Sequence, residues 1–209
     1  MLNKNDQYSY KELQLYSSRS TPVAINIDYL YTSSPEERVS CVRRAIDYLA
    51  LEFTKSRQLK QNRTEDELTG EIIISLKCMG FEASHDTQYG GHCDIVVEAA
   101  QGFLWIAEAK IHRDYDWLLK GYNQLLTRYS TGQKGQDNGD MIIYVYIQNV
   151  NHVMNKWNAY LIENEKDVIT ENCPDSSFNF FSTQMHQNTG LPFTTRHVPI
   201  SLYFSPQDK

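Results

Sequence analysis

The chain has no apolar run approaching the roughly 18 residues that a membrane-spanning helix needs. Its polar opening, Met-Leu-Asn-Lys-Asn-Asp-Gln, lacks the apolar core of a secretory signal. Cysteine is scarce: Cys41, Cys78, Cys93 and Cys173 lie far apart, and none forms a Cys-x-x-Cys pair. That spacing argues against a zinc site or a disulfide framework and leaves free thiols in a reducing compartment. A cytoplasmic location without a membrane partner is therefore the expectation. Positive charge is also in deficit, since the net charge is -6. This weighs against broad, nonspecific attraction to nucleic acid, while a local basic groove stays compatible with it. No internal repeat is visible.

What the chain does contain is 209 residues with 41% hydrophobic and 22% charged content, enough for one compact α/β unit with additions. Its most informative segment holds two apolar runs. Gly-Gly-His-Cys-Asp-Ile-Val-Val-Glu (90–98) and Phe-Leu-Trp-Ile-Ala-Glu-Ala-Lys (103–110) read as neighbouring strands joined across Ala-Ala-Gln-Gly, with Gly102 as the turn residue. Side chains at 108 and 110 share a strand face because the period is two. Asp94, Glu108 and Lys110 would then meet at one edge of a sheet. The apolar flanks describe strands buried on both faces, where an unpaired charge is costly, and this favours a built site over a solvated ion pair worth about 0 to 1 kcal/mol.

Carboxylates are hard oxygen ligands suited to Mg²⁺ or Mn²⁺. A divalent ion held between them lowers the pKa of bound water and neutralises a phosphate under attack, and an adjacent lysine can orient that water or help deprotonate it. A further acid is expected from the preceding helix. Thr64 reads as its N-cap, Glu67 takes the capping-box position and Gly80 stops it. Leu68, Ile72, Ile73, Leu76 and Met79 define its buried face; Glu65 falls near the centre of that face, Glu71 at its margin and Glu67 away from it. Glu65 is the candidate and Glu71 the reserve, while Glu67 serves the cap and the helix dipole.

With Asp94 followed by Glu108-x-Lys110, the chain resembles the PD-(D/E)xK nuclease superfamily over about residues 64 to 148. Cys93 stands where the superfamily's proline is usually written, which bears on the local turn. The resemblance implies a restriction-endonuclease-like α/β core, a central mixed β-sheet flanked by helices, here with an N-terminal helical extension. Residues 1–63 would be that extension and 64–209 the nuclease-like domain. It further implies that Asp94, Glu108, the Ala109 carbonyl and Glu65 hold Mg²⁺, for which Mn²⁺ can substitute, and that Lys110 positions or activates water. Glu65, with apolar or small residues three, four and seven positions later, looks like the first motif of resolvase-like members.

After Lys110, Trp117, Leu118, Tyr122, Leu125, Leu126 and Tyr129 recur at helical spacing, and Gly132 closes the segment. Lys120, Gln124 and Arg128 form a polar stripe that is either an exposed amphipathic face or a row of phosphate contacts. The segment resembles the glutamine-plus-tyrosine helix of RecB-like nucleases, with one extra residue between Gln124 and Tyr129, and this makes Gln124 a candidate for steadying substrate. His92 is close enough to Asp94 to approach a metal or phosphate, or is a turn histidine in water. His112 shares the strand parity of Glu108 and Lys110, and the remaining histidines show no ligand spacing.

Elsewhere, residues 139–148 read as a strand, 151–162 as a helix and 172–190 as a loop. Residues 194–204 read as an edge strand because Pro199 interrupts its donors. A basic helix from about Pro35 to Leu59 lies in a stretch, Arg38 to Arg63, with seven Lys/Arg against two acids. Arg43, Arg44, Lys55 or Arg57 would contact DNA from it, or it forms a solvated face or a subunit interface. The first thirty-three residues are polar and tyrosine-rich, with a short strand at Val23 to Ile27.

The expected function is metal-dependent hydrolysis of phosphodiester bonds in nucleic acid, DNA above RNA. Bacterial members of the superfamily often serve in phage defence, restriction or repair. Specificity would come from a partner protein, a homo-oligomer or DNA structure. Two alternatives stay open: a nucleic-acid-binding or assembly module of the same fold that does not cleave, and an effector nuclease silent until a ligand or partner orders it.

Overall fold

The computed structural model describes residues 7–86 and 92–207. The predicted glycine pair Gly90-Gly91 lies outside the described residues. The chain folds as α/β, with a seven-stranded mixed sheet flanked by helices. Helices α1 (Tyr10–Ser17), α2 (Thr21–Leu30), α3 (Pro35–Lys55) and α4 (Glu65–Cys78) come first. Then follow β1 (Glu82–Asp86), β2 (Cys93–Ala99), β3 (Phe103–Ile111), α5 (Tyr115–Gln124), β4 (Asn138–Val145), α6 (Val150–Asn164), β5 (Ile169–Asn172), β6 (Phe180–Met185) and β7 (Pro192–Ser201).

Strand order is β1-β2-β3-β4-β7-β6-β5, with β3, β4 and β7 parallel and the outer pairs antiparallel. The three parallel strands at the centre are almost wholly buried, as strands covered on both faces must be. One face carries Ile95, Val97, Trp105, Ile142 and Val198 against Val42, Ile46 and Leu49 of α3 and Leu68, Ile72 and Leu76 of α4. The other carries Val96, Leu104, Ile106, Met141 and Ile143 against Leu118 and Tyr122 of α5 and Val153, Trp157 and Leu161 of α6. Among the described residues no helix is long and apolar enough to cross a membrane.

The local signals explain most boundaries. Thr64 and Glu67 make both capping-box hydrogen bonds, a motif worth about 1 kcal/mol, and Gly80 adopts φ +87° just past α4. Gln101 and Gly102 both take positive φ, which closes the tight connection between β2 and β3.

Three expectations need correction, and one strand was not foreseen. Residues Val23 to Ile27 are helical, within α2, because Pro22 sits in the first turn and Ile25 buries against the core without a neighbouring strand. Strand β1 was not legible as a strand, its sequence Glu-Ala-Ser-His-Asp carrying no β-branched residue. The loop expected at 172–190 contains β6, whose Phe180 and Ser182 are buried amid polar neighbours. Strand β7 is internal, not an edge. Pro199 is tolerated because the pairing of β6 ends at Phe180↔His197, so the missing N–H breaks no ladder bond with that neighbour.

The cations of the basic stretch have partners within the chain. Arg43 bonds Asp140, Arg44 pairs with Asp28, Lys55 with Glu52, and Arg57 donates to the Thr54 carbonyl. Arg43 is largely buried, while Arg44 and Lys55 stay exposed.

His197 is fully buried between Phe180, Tyr122 and Trp157. Because an indole N–H can only donate, Nδ1 of His197 accepts from Trp157 at 3.0 Å and Nε2 carries the proton shared with Ser182 Oγ at 2.8 Å. Burial pushes its pKa down to about 3. The unfolded chain therefore binds more protons between pH 6.5 and 3, and stability is lost as pH falls through that window. His197→Phe should lower stability at pH 7.5 by about 1–3 kcal/mol, since two polar partners are stranded, and should flatten the acid limb. Urea unfolding at pH 7.5 and 5 tests both, and an unchanged slope would refute the assignment.

Candidate active site

The regular hairpin register ends with Ile95 opposite Ala107, one residue short of Asp94. Between Ser84 and Asp86 of β1 the pairing with β2 shifts, from Ser84↔Val96 to Asp86↔Cys93, so β2 carries the extra residue of a bulge at Asp94–Ile95. Bulges re-aim side chains, and this one sits at the acid that the site depends on. Asp94 Oδ2 accepts the Ala109 N–H at 2.8 Å, which pins its carboxylate against β3.

Glu108 and Lys110 follow on one face of β3, and both are almost completely buried, at 1% and 6% exposure. Glu65, the first residue of α4, spans to the end of β3, where Oε2 accepts the Ile111 N–H at 2.7 Å. The ammonium of Lys110 lies at the focus of the three acids: 2.7 Å from Glu108 Oε1, 3.2 Å from Glu65 Oε1 and 3.6 Å from Asp94 Oδ2. It also donates to the Ala109 carbonyl at 3.3 Å. Glu65, Asp94, Glu108, Ala109 and Lys110 are thus brought together, from one helix and two strands.

Other candidates fall elsewhere. Glu71 pairs with Lys60 and Glu67 caps its helix. His92 is exposed and stacks loosely on His85, whose Nδ1 bonds the Asp94 carbonyl at 2.9 Å. His112 packs on Tyr115, with Nε2 buried and unpartnered. Gln124 ends α5, half-buried, three residues beyond Gly121 and on the same side of the helix. From Leu125 to Tyr129 the helix continues as a π turn, with Ser130 N–H bonded to the Leu125 carbonyl at 3.2 Å. Such a turn carries i→i+5 hydrogen bonds in place of i→i+4. Lys120 and Arg128 are exposed.

Two contributors were missed from the sequence. Gly121 packs directly on the lysine: a Cβ there would stand 3.0 Å from Lys110 Cγ and 2.9 Å from Met141 Cε. A glycine inside a helical pattern was the available signal. Trp117 covers the ammonium, its ring centroid 5.5 Å from Lys110 Nζ, and had registered only as one of the regularly spaced apolar residues.

The electrostatics are unbalanced, with three carboxylates around one ammonium. Burial, then the neighbouring Asp94, push Glu108 up to about 7 against the opposing pull of Lys110. Burial alone would lower the lysine, but Glu108, Asp94 and Glu65 outweigh it and hold it well above its ordinary value. Glu108 Oε2 is buried without a hydrogen-bond partner. Among the described residues no three acidic, histidine or cysteine side chains converge as ready metal ligands, and the ammonium stands where their oxygens point. Even so, the donor set is all hard oxygen, carries excess negative charge and includes an orphaned carboxylate oxygen, which fits a divalent cation such as Mg²⁺ or Mn²⁺.

No family model, no curated protein and no solved structure matches the chain.

Because Glu108 is raised above its unfolded value of 4.5, the folded state binds more protons between pH 4.5 and 7. Stability should fall across that window, by on the order of 2–3 kcal/mol, and Glu108→Gln should remove that fall. Melting curves of both proteins at pH 5 and 8 test this, and parallel shifts in the two would contradict it. Gly121→Val should displace Lys110 and destabilise the fold by about 1–3 kcal/mol through overpacking, whereas substitution at the exposed Lys77 should not. Equal melting temperatures for the Gly121 variant and the native protein would argue against the close packing.

Proposed function

We propose that this protein is a metal-dependent nuclease with a restriction-endonuclease-like core, hydrolysing phosphodiester bonds of nucleic acid, with DNA the favoured substrate. The observation that carries the reading is the convergence of Glu65, Asp94, Glu108 and Lys110, the residues and order that the resemblance implied, in one partly shielded cluster.

Asp94, Glu108, the Ala109 carbonyl and Glu65 would hold the ion, Mg²⁺ or Mn²⁺. A bound divalent ion neutralises phosphate charge and makes its water a better nucleophile. The chain's own groups do the rest. Lys110 keeps its proton at neutral pH, so it donates hydrogen bonds to water or phosphate and does not serve as a general base. Backbone donors at Ala109 and Ile111 fix two of the carboxylates, so their oxygens need little reorganisation as charge develops. Gly121 lets the helix sit on the lysine stem and limits its travel. Gln124, three residues beyond Gly121 on the same helix, would steady a strand.

The alternative of a module that binds without cleaving is favoured by one observation: Lys110 already neutralises part of the acid cluster. Cleavage of plasmid and single-stranded DNA with Mg²⁺ or Mn²⁺ decides between them. The native chain should cut, chelator should abolish cutting, and Asp94→Ala and Lys110→Ala should each lose about 100-fold or more. No cutting by the native chain with either metal, or equal cutting by all three, would sink the enzyme reading. Roles in phage defence, restriction or repair, and activation by a partner, remain parts of this proposal.

A further inference from the structure

Beside the acid cluster, three cations surround one aromatic ring. Lys110 Nζ, Arg113 Cζ and Lys120 Nζ lie 5.5, 5.0 and 5.4 Å from the centroid of Trp117. Arg113 and Lys120 are exposed, and neither has an acidic partner within ion-pair distance among the described residues. The acids nearest in sequence are otherwise engaged: Asp114 accepts the Trp117 backbone N–H, and Asp116 accepts the Tyr160 hydroxyl. Trp117 is half-buried, and its indole N–H is shielded but unbonded. A half-buried aromatic ring thus stands between two exposed cations and, through Lys110, borders the acid cluster. Trp105 and Trp157, by contrast, are fully buried.

Resting on the nuclease reading, we propose that Arg113, Trp117 and Lys120 form a strand-binding platform that selects an unpaired nucleotide next to the bond to be cut. The exposed guanidinium and ammonium swing to the flanking phosphates, and a base takes their place over the indole. Base-on-aromatic stacking is indifferent to sequence but needs a base released from its duplex partner, so the platform favours single strands or frayed ends.

The test uses the full chain without divalent metal, so that binding is read apart from cleavage. A labelled oligothymidylate of about a dozen nucleotides should bind, and should quench the emission of Trp117, while the two buried tryptophans supply a constant background. A blunt hairpin of equal length should bind on the order of tenfold more weakly. Trp117→Leu should weaken oligothymidylate binding about tenfold, and Trp117→Phe should restore most of it. The double change Arg113→Ala with Lys120→Ala should lower the salt dependence of log K by about 1.4, two single-strand phosphate contacts at roughly 0.7 each. Unchanged affinity in Trp117→Leu and in the double variant, stronger binding of the hairpin, or equal binding of poly-glutamate would each overturn the platform. Platform binding with no cleavage under any metal would leave it standing and fail the nuclease reading; cleavage with a silent Trp117→Leu phenotype would do the reverse.

Discussion

A buried ammonium encircled by three carboxylates sets the terms for the rest of this molecule. Removing one partner of a buried ion pair costs about 3–5 kcal/mol because the other charge is left without water or counterion. Lys110 is held by Glu108 of β3, Glu65 of α4 and Asp94 of β2, so each acid comes from a different element. The bulge in β2, the capped start of α4 and the glycine in α5 have one geometric requirement in common. Each brings a group to Lys110 or clears space for it.

A second charged cluster on the same sheet shows what a finished network looks like. Asp140, without exposure, accepts from Arg43, from Nε of Arg196 and from the Trp105 indole, and Arg196 also reaches Asp47. Every buried polar group there has partners, and positive and negative charges balance. Such a network ties α3 to β4 and β7. The cluster at Lys110 differs on both counts, with surplus negative charge and an orphaned oxygen on Glu108. Satisfied buried charge serves structure; unsatisfied buried charge is retained for chemistry or replaced.

Much of this was legible in the sequence where local chemistry dictates local shape. The capping box of α4, the Gln101-Gly102 turn and the apolar runs of β2 and β3 identify themselves, and from these follow the positions of Glu65, Asp94, Glu108 and Lys110. What was not legible depends on neighbours distant along the chain. Nothing in Glu-Ala-Ser-His-Asp says strand until β2 offers it a ladder. Pro199 reads as an edge signal until β6 is seen to stop short of it. Arg43 and Arg44 read as free charges until Asp140 and Asp28 arrive from far away in sequence. Periodicity placed Trp117 among the buried apolar residues, and only the fold shows that three cations surround it.

All four groups of the acid and lysine cluster come from residues 65 to 110, whereas the cover comes from Trp117 and Gly121 of α5 further along. Loop-closure entropy favours short-range pairings, so the helix and hairpin can draw these charges together while water still bathes them. An assembly order that follows sequence separation would leave desolvation to α5 and would spare the folding chain from burying charge before its counter-groups are in place.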